Sequence, residues 1–198
     1  LRQQAHVFLR RRRQRIEGLG VHEQRLTRVF RMFVHPRPVV ACAEHHEPRA
    51  VTAQGRVDGR DEAGRITLDR PKALNALTLD MVRKITPVLA KWARDPEVAH
   101  VILDGAGERG LCAGGDVRWL YESRARGLDE ALAFWREEYA LNALIHRYPK
   151  PFVPIMDGIV MGGGIGLSAH VQGGTRIVTE RSQLAMPETS IGLIPDVG

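Results

Sequence analysis

Two apolar runs of strand length, residues 98–103 and 152–156, each give way to a glycine-rich turn and then to a helical pattern. That order recurs along the chain and constrains its fold more than any other feature. Residues 51–57 read as a strand, 58–64 as a turn rich in Gly and Asp, and 65–69 as a second strand stopped by Pro71. Thr78 can cap a helix reaching about residue 94, with Leu79, Val82, Ile85, Leu89 and Trp92 on one face. Pro87 lies inside that helix, brings no N–H, and should kink it or shift its start. Residues 116–126 and 128–146 are helical by pattern, another helix spans 162–170, and 175–179 reads as a strand. Strands alternating with helices over 65–180 predict an α/β class with a largely parallel sheet and right-handed crossovers. Pattern alone does not separate a Rossmann sheet from other βα arrangements, and no internal repeat is visible.

Charge divides the chain. The 198 residues carry a formal +6. Residues 1–50 hold 11 Arg, no Lys and 4 acidic residues, whereas 51–198 hold 18 basic and 19 acidic residues. The body is therefore near neutral and offers no basic face to follow a phosphate backbone, so nucleic acid is not an expected partner. The first 50 residues, with Arg10 to Arg13 in a row and His35-Pro36-Arg37-Pro38 breaking any helix, read as a segment apart from the 51–198 core. A disordered basic tail, a targeting presequence and an upstream stretch that is not natively translated are the three readings. No apolar run approaches the ~20 residues of a membrane helix, so no membrane is expected. Cys42 and Cys112 give neither metal spacing nor a disulfide framework, which makes a reducing compartment the default.

Two segments carry candidate chemistry. Cys112-Ala113-Gly114-Gly115-Asp116 and Gly158 through Gly162-Gly163-Gly164 each follow a strand and open a helix. Both can present backbone N–H groups that lack an intrahelical partner, and glycine lets a ligand approach the main chain closely. Two such amides converging on one point would form an oxyanion hole. Either motif alone is more often a simple turn or packing contact. Glu188 and Asp196 each follow a proline in an otherwise uncharged stretch, 184–198. A carboxylate there is either exposed on a loop or desolvated for a purpose, which would make it an acid, a base or a nucleophile. Glu122 reads as a surface residue. Phe134, Trp135, Tyr139 and Leu144 read as core or helix-packing residues. His170 reads as a carbonyl cap or a core residue. No nucleophile elbow supports a serine hydrolase.

Taken in order, these motifs resemble the crotonase (enoyl-CoA hydratase/isomerase) superfamily over residues 65–198. Arg70-Pro71-Lys72-Ala73-Leu74-Asn75-Ala76-Leu77 is similar to its N-terminal signature. The two glycine segments resemble its oxyanion loops, and Met186-Pro187-Glu188 with Pro195-Asp196-Val197-Gly198 completes the series. The resemblance implies a spiral of ββα units, of which the C-terminal part is missing here, and an acyl-CoA thioester held by the amides of Gly115 and Gly163. Ala113, Gly114 and Gly162 would line the substrate. Hydratases of the superfamily carry a glutamate where this chain has Gly166, and commonly a glycine where it has Asp196. Glu188 with Asp196 eight positions later, and the stretch from Phe134 to Asn142, look like the 3-hydroxyisobutyryl-CoA hydrolases. The implied reaction is thioester hydrolysis in valine breakdown. Glu188 would be nucleophile or general base, Asp196 would orient the substrate hydroxyl, and Glu122 would contact substrate. No metal or redox cofactor is implied, and a homo-oligomer is expected of the full-length protein. The location would be cytoplasmic in a bacterium and the mitochondrial matrix in a eukaryote. Hydratase or isomerase chemistry, and an inactive remnant that at most binds acyl-CoA, are the alternatives.

Overall fold

The computed structural model describes residues 51–57, 61–123 and 127–197. The readings of the N-terminal 50 residues, and of 58–60 and 124–126, lie outside them. The described residues all belong to one compact unit, Cys42–Gly198.

Strands β1 (Val51–Val57) and β2 (Asp61–Leu68) form an antiparallel hairpin. β2 pairs in parallel with β3 (His100–Gly105), and β3 with β4 (Phe152–Met156). β4 pairs in parallel with β6 (Ile177–Val178), completing a five-stranded sheet ordered β1-β2-β3-β4-β6. A second, two-stranded parallel sheet joins β5 (Ile159–Met161) to β7 (Gln183–Ala185). The largely parallel α/β sheet expected from the alternation is present, with one antiparallel edge. β5 and β7 were not expected, because three residues between glycines and turns carry no readable alternation.

Two local expectations need correction. β2 begins at Asp61, so the second half of the expected turn is strand. Gly64 reads as a turn residue in sequence, yet it pairs with Gly55 and Val101. Its missing side chain makes room for an indole: a Cβ there would lie 2.5 Å from the Trp92 ring. Helix α1 (Leu79–Trp92) starts where Thr78 predicts, unshifted, and carries Pro87 within it. Met81 N–H donates to Thr78 Oγ1 at 3.2 Å, while Asp80 and Lys91 complement the helix dipole at its two ends. Pro87 lies on the exposed side. The opposite stripe, Met81, Val82, Ile85, Leu89 and Trp92, is buried and holds the helix through the one lost backbone bond.

Helices α2 (Val117–Ser123), α3 (Asp129–His146) and α4 (Gly163–Ser168) follow, the last shorter than the expected 162–170. The core is continuous from the sheet (Ile66, Leu68, Leu103, Phe152) through α1 (Met81, Ile85, Leu89) to α3 (Phe134, Leu141, Ile145). Among the described residues, no helix is long and apolar enough to cross a membrane.

Candidate active site

The two glycine segments are fastened side by side. Leu111 N–H donates to the Asp157 carbonyl at 3.0 Å, Cys112 N–H to Ile159 at 3.1 Å and Met161 N–H to Cys112 at 2.9 Å. On its other flank the first segment is tied to the Arg70–Leu77 stretch. Leu77 N–H donates to the Gly114 carbonyl at 2.8 Å, and Asp116 N–H to the Leu77 carbonyl at 2.8 Å. The Arg70 guanidinium closes this bracket, donating to Asp116 at 2.9 Å and to the Ala76 carbonyl at 2.6 Å. Buried Asn75 donates to the carbonyls of Ala106 and Gly110, both at 3.0 Å.

The bracketing brings Gly114-Gly115 against Gly162-Gly163. A Cβ built on Gly114 would lie 3.5 Å from Gly163 N, and one built on Gly163 would lie 3.5 Å from Gly115 N. Gly114 has φ +105 and Gly162 φ +48, where a side chain would be strained. Gly162 has a second reason to be glycine: a Cβ there would meet Glu188 Oε1 at 2.6 Å. The N–H groups of Gly115 and Gly163 donate to no described acceptor. Ala113 is fixed just before the pair, its N–H donating to the Leu74 carbonyl at 3.0 Å.

Glu188 opens a short 3₁₀ turn, Glu188–Ile191, that follows β7. Its Oε2 is shut away from solvent without a hydrogen-bond partner. Asp196 is exposed, and its carboxylate accepts a hydrogen bond from the Tyr139 hydroxyl. Of the positions read as core or helix-packing, Phe134 is buried, whereas Tyr139 is 41% exposed and spends its hydroxyl on the Asp196 carboxylate. His170, half-buried, meets the Val197 carbonyl through Nε2 at 2.7 Å, and His146 Nδ1 meets the His170 carbonyl at 2.8 Å. These residues line a cleft of about 380 Å³ with Asn142, Ala143 and Asp196. Glu122 is placed differently, on α2, where its carboxylate accepts from Arg118 Nε at 2.9 Å.

Glu138 is the residue that the sequence reading missed. It is 3% exposed. Burial pushes its carboxyl up to about 7, and the charges of Asp196 and Glu188 push the same way. Its Oε1 stands where a Cβ of Gly163 would be. The sequence held one signal: buried Ala131, Phe134, Glu138, Leu141 and Ile145 repeat at intervals of three and four, so a glutamate occupies an apolar stripe of α3. Gly166 is equally constrained, since a Cβ there would lie 2.6 Å from the Asn142 side-chain nitrogen and 3.0 Å from Val197. Cys112 is buried, and desolvation pushes its thiol up to about 12, which disfavours the reactive thiolate. Among the described residues, no three His, Cys, Asp or Glu side chains are grouped so as to hold a metal.

Comparisons with known proteins converge on this region. Residues 63–198 match the family described as Enoyl-CoA hydratase/isomerase. The chain is 52% identical over 147 residues to the mitochondrial 3-hydroxyisobutyryl-CoA hydrolase of Rattus norvegicus, covering 74% of this chain and 38% of that protein. The Homo sapiens protein of the same name is 53% identical over 135 residues, covering 68% and 34%. Among solved structures, a carnitinyl-CoA dehydratase from Mycobacterium thermoresistibile superimposes with TM-score 0.70 at 54% identity, covering 75% of this chain and 42% of that one. An enoyl-CoA hydratase from Rhodobacter sphaeroides gives TM-score 0.68 at 48% identity, with the same coverage. The fold is crotonase-like. The chain spans little more than a third of the curated relatives' length.

Proposed function

The chain belongs to the enoyl-CoA hydratase/isomerase family, and from that premise we propose that it hydrolyses a short 3-hydroxyacyl-CoA thioester, 3-hydroxyisobutyryl-CoA, to the free acid and CoA. The observation that carries this reading is the pair of unclaimed amides, Gly115 and Gly163, on glycine segments packed side by side, with the Glu188 carboxylate beside Gly162. The amides receive the thioester oxygen, and Gly114, Gly162 and Ala113 form the walls around it. Glu188 takes a proton from water as the water oxygen bonds to the acyl carbon. The carbonyl oxygen then carries the negative charge that the amides stabilise. Collapse breaks the carbon–sulfur bond, and the departing thiolate takes up the proton. Asp196, held by Tyr139, orients the substrate hydroxyl, and Glu122 adds a contact along the substrate. Every step uses backbone donors and carboxylates, so no metal or redox cofactor is called for. A place in valine breakdown belongs to the same reading, and the mitochondrial designation of the relatives supports a mitochondrial location for a eukaryotic source. Assembly into a homo-oligomer is part of the same proposal for the full-length protein.

Hydration of an enoyl-CoA is the second reading, favoured by the hydratase and dehydratase among the structural neighbours. The residue at this position argues against it, because Gly166 stands where hydratases of the family carry the first glutamate, close against the Asn142 side chain and Val197. Turnover of 3-hydroxyisobutyryl-CoA and crotonyl-CoA by the full chain separates the two, and faster use of the enoyl substrate would sink the hydrolase reading. Glu188→Gln should lower hydrolysis roughly 10³-fold while substrate still binds. Retained turnover removes Glu188 from the mechanism.

A further inference from the structure

We propose that Arg70 is a positioning residue for the first oxyanion amide: its guanidinium acts on the thioester oxygen through two peptide units that end in the Gly115 N–H. The inference rests on the hydrolase reading above.

A peptide unit is planar, so whatever holds its carbonyl also aims its N–H. The Gly115 N–H shares a unit with the Gly114 carbonyl, and that carbonyl accepts from Leu77 N–H at 2.8 Å. The Leu77 N–H in turn shares a unit with the Ala76 carbonyl, which accepts from Arg70 Nη1 at 2.6 Å. One line of donors and acceptors therefore runs from a cation to the amide that receives the thioester oxygen. Leu77 and Gly115 form an isolated parallel bridge, and its second bond, from Asp116 N–H to the Leu77 carbonyl at 2.8 Å, fixes the far side of Gly115. The bridge leaves the Gly115 N–H itself unspent.

Local structure is bent to make this line. Leu74 and Asn75 both have left-handed backbone, with φ 54 and 55, a conformation that costs a leucine free energy. The chain doubles back there: Asn75 N–H donates to the Arg70 carbonyl at 2.9 Å, and Arg70 N–H donates to Asn75 Oδ1 at 2.9 Å. The turn sets the Ala76 carbonyl against the side chain of Arg70. That side chain is only 12% exposed, and Asp116 holds its other arm at 2.9 Å. Asp116 also accepts from Trp119 N–H at 3.0 Å, so the guanidinium is anchored to the start of α2.

The two oxyanion amides differ in what stands behind them. The Gly163 N–H shares a unit with the Gly162 carbonyl, which accepts from Ile165 N–H at 2.8 Å and Gly166 N–H at 3.2 Å, within the first turn of α4. The Gly114 carbonyl is held from another segment instead, and Arg70 is the charged end of that support. A bond from a charged donor is stronger than a neutral one, and bonds in a buried chain polarise one another. Arg70 thus draws electron density along both units and leaves the Gly115 N–H a better donor as the oxygen becomes negative. Arginine suits the place because its planar fork reaches Ala76 and Asp116 at once, whereas an ammonium is a point charge.

The test compares the full chain as wild type, as Arg70→Lys, and as Arg70→Met combined with Asp116→Asn, which leaves no carboxylate buried without its cation. One readout is kcat and KM on 3-hydroxyisobutyryl-CoA. The other is the infrared carbonyl stretch of the same thioester bound to each protein carrying Glu188→Gln. The double variant should lose about tenfold to thirtyfold in kcat, less than deletion of a direct oxyanion donor, with KM changed by less than about threefold. Its bound carbonyl should stretch at higher frequency than in the wild-type background, because a weaker donor polarises the bond less. Arg70→Lys should fall between the two in both readouts. An arginine that merely braces the fold would lower the melting temperature and leave the stretch in place. An unmoved stretch in the double variant therefore overturns the proposal, and so does wild-type kcat, or a lysine variant no better than the double variant. Should the double variant fail to fold, a stretch in Arg70→Lys equal to that of wild type overturns it. Failure of wild type to hydrolyse the thioester overturns the hydrolase reading instead. The stretch of bound crotonyl-CoA then judges Arg70, with the same rise expected and an unmoved stretch overturning the proposal.

Discussion

Tyr139 brings its hydroxyl to a carboxylate 57 residues away in sequence, and one bond thereby joins helix α3 to the loop of Asp196. Burial and the Asp196 carboxylate both push the phenol upward, so it remains a donor across the working pH range. An exposed aspartate on a loop otherwise has many orientations, and a single charge-assisted bond restricts them. Hydrogen bonds to charged groups contribute about 1.5–3 kcal/mol, with less expected where solvent competes. Tyr139→Phe should therefore lower kcat for 3-hydroxyisobutyryl-CoA about tenfold and leave thioester binding largely intact. The melting temperature should hardly move, because the ring stays. An unchanged kcat would mean that Asp196 needs no positioning from α3. At this scale the sequence was legible where one residue type answers one need. Gly162 must be glycine both for its φ and for the carboxylate beside it, and a glycine in such a segment announces itself. Glu138 did not, because Arg136-Glu137-Glu138 reads as a charged surface. Its neighbour Glu137 is such a surface residue, bonded to Arg83 at 2.7 and 2.8 Å.

Elements are positioned by contacts that join distant segments, and Lys150 shows why few of these were legible. In sequence it is a lysine between two prolines, which signals a turn and nothing more. In the structure its ammonium donates to the carbonyls of Trp92, Asp95 and Val98, at 2.6, 2.5 and 2.6 Å. Those carbonyls end α1 and lead into β3, and Lys150 stands at the entry to β4, so one side chain fixes three elements. Lys150→Met should leave these acceptors unsatisfied and cost about 3 kcal/mol, lowering the melting temperature by roughly 10 °C. Calorimetry on the purified chain measures this, and a shift under 2 °C would show that water replaces the lysine without loss. The same distinction explains what was read correctly. Thr78 and the stripe behind it predicted the start and the buried face of α1, because caps and periodicity are local. The extension of β2 to Asp61 was hidden because Gly64 answers to Trp92, a partner nearly thirty residues away. β5 and β7 exist because they pair with each other across more than twenty residues, and no stretch of three residues carries that information.

Over the whole molecule, the dependence of stability on pH turns on Glu138. The unfolded chain ionises this carboxyl near its ordinary 4.5, whereas the folded chain holds it protonated to about 7. Between those values the folded state binds the extra proton, so stability is greatest at or below pH 4.5 as far as this group is concerned. It falls as pH rises through the window and levels off above 7. The loss is up to about 3 kcal/mol for a group so deeply buried. Glu137 and Asp157 have the opposite sign. Hydrogen bonds from Arg83, and from Thr179 and Arg181, hold them below their usual range, so their contributions are lost as the solution becomes acid. Stability should therefore peak in mildly acid solution, which neither the composition nor the basic pI foretells. Urea denaturation at pH 5 and pH 8 tests this. The wild-type midpoint should be lower at pH 8, and Glu138→Gln should raise it at pH 8 while changing little at pH 5. Equal midpoints for wild type at the two pH values would mean that Glu138 ionises at no cost.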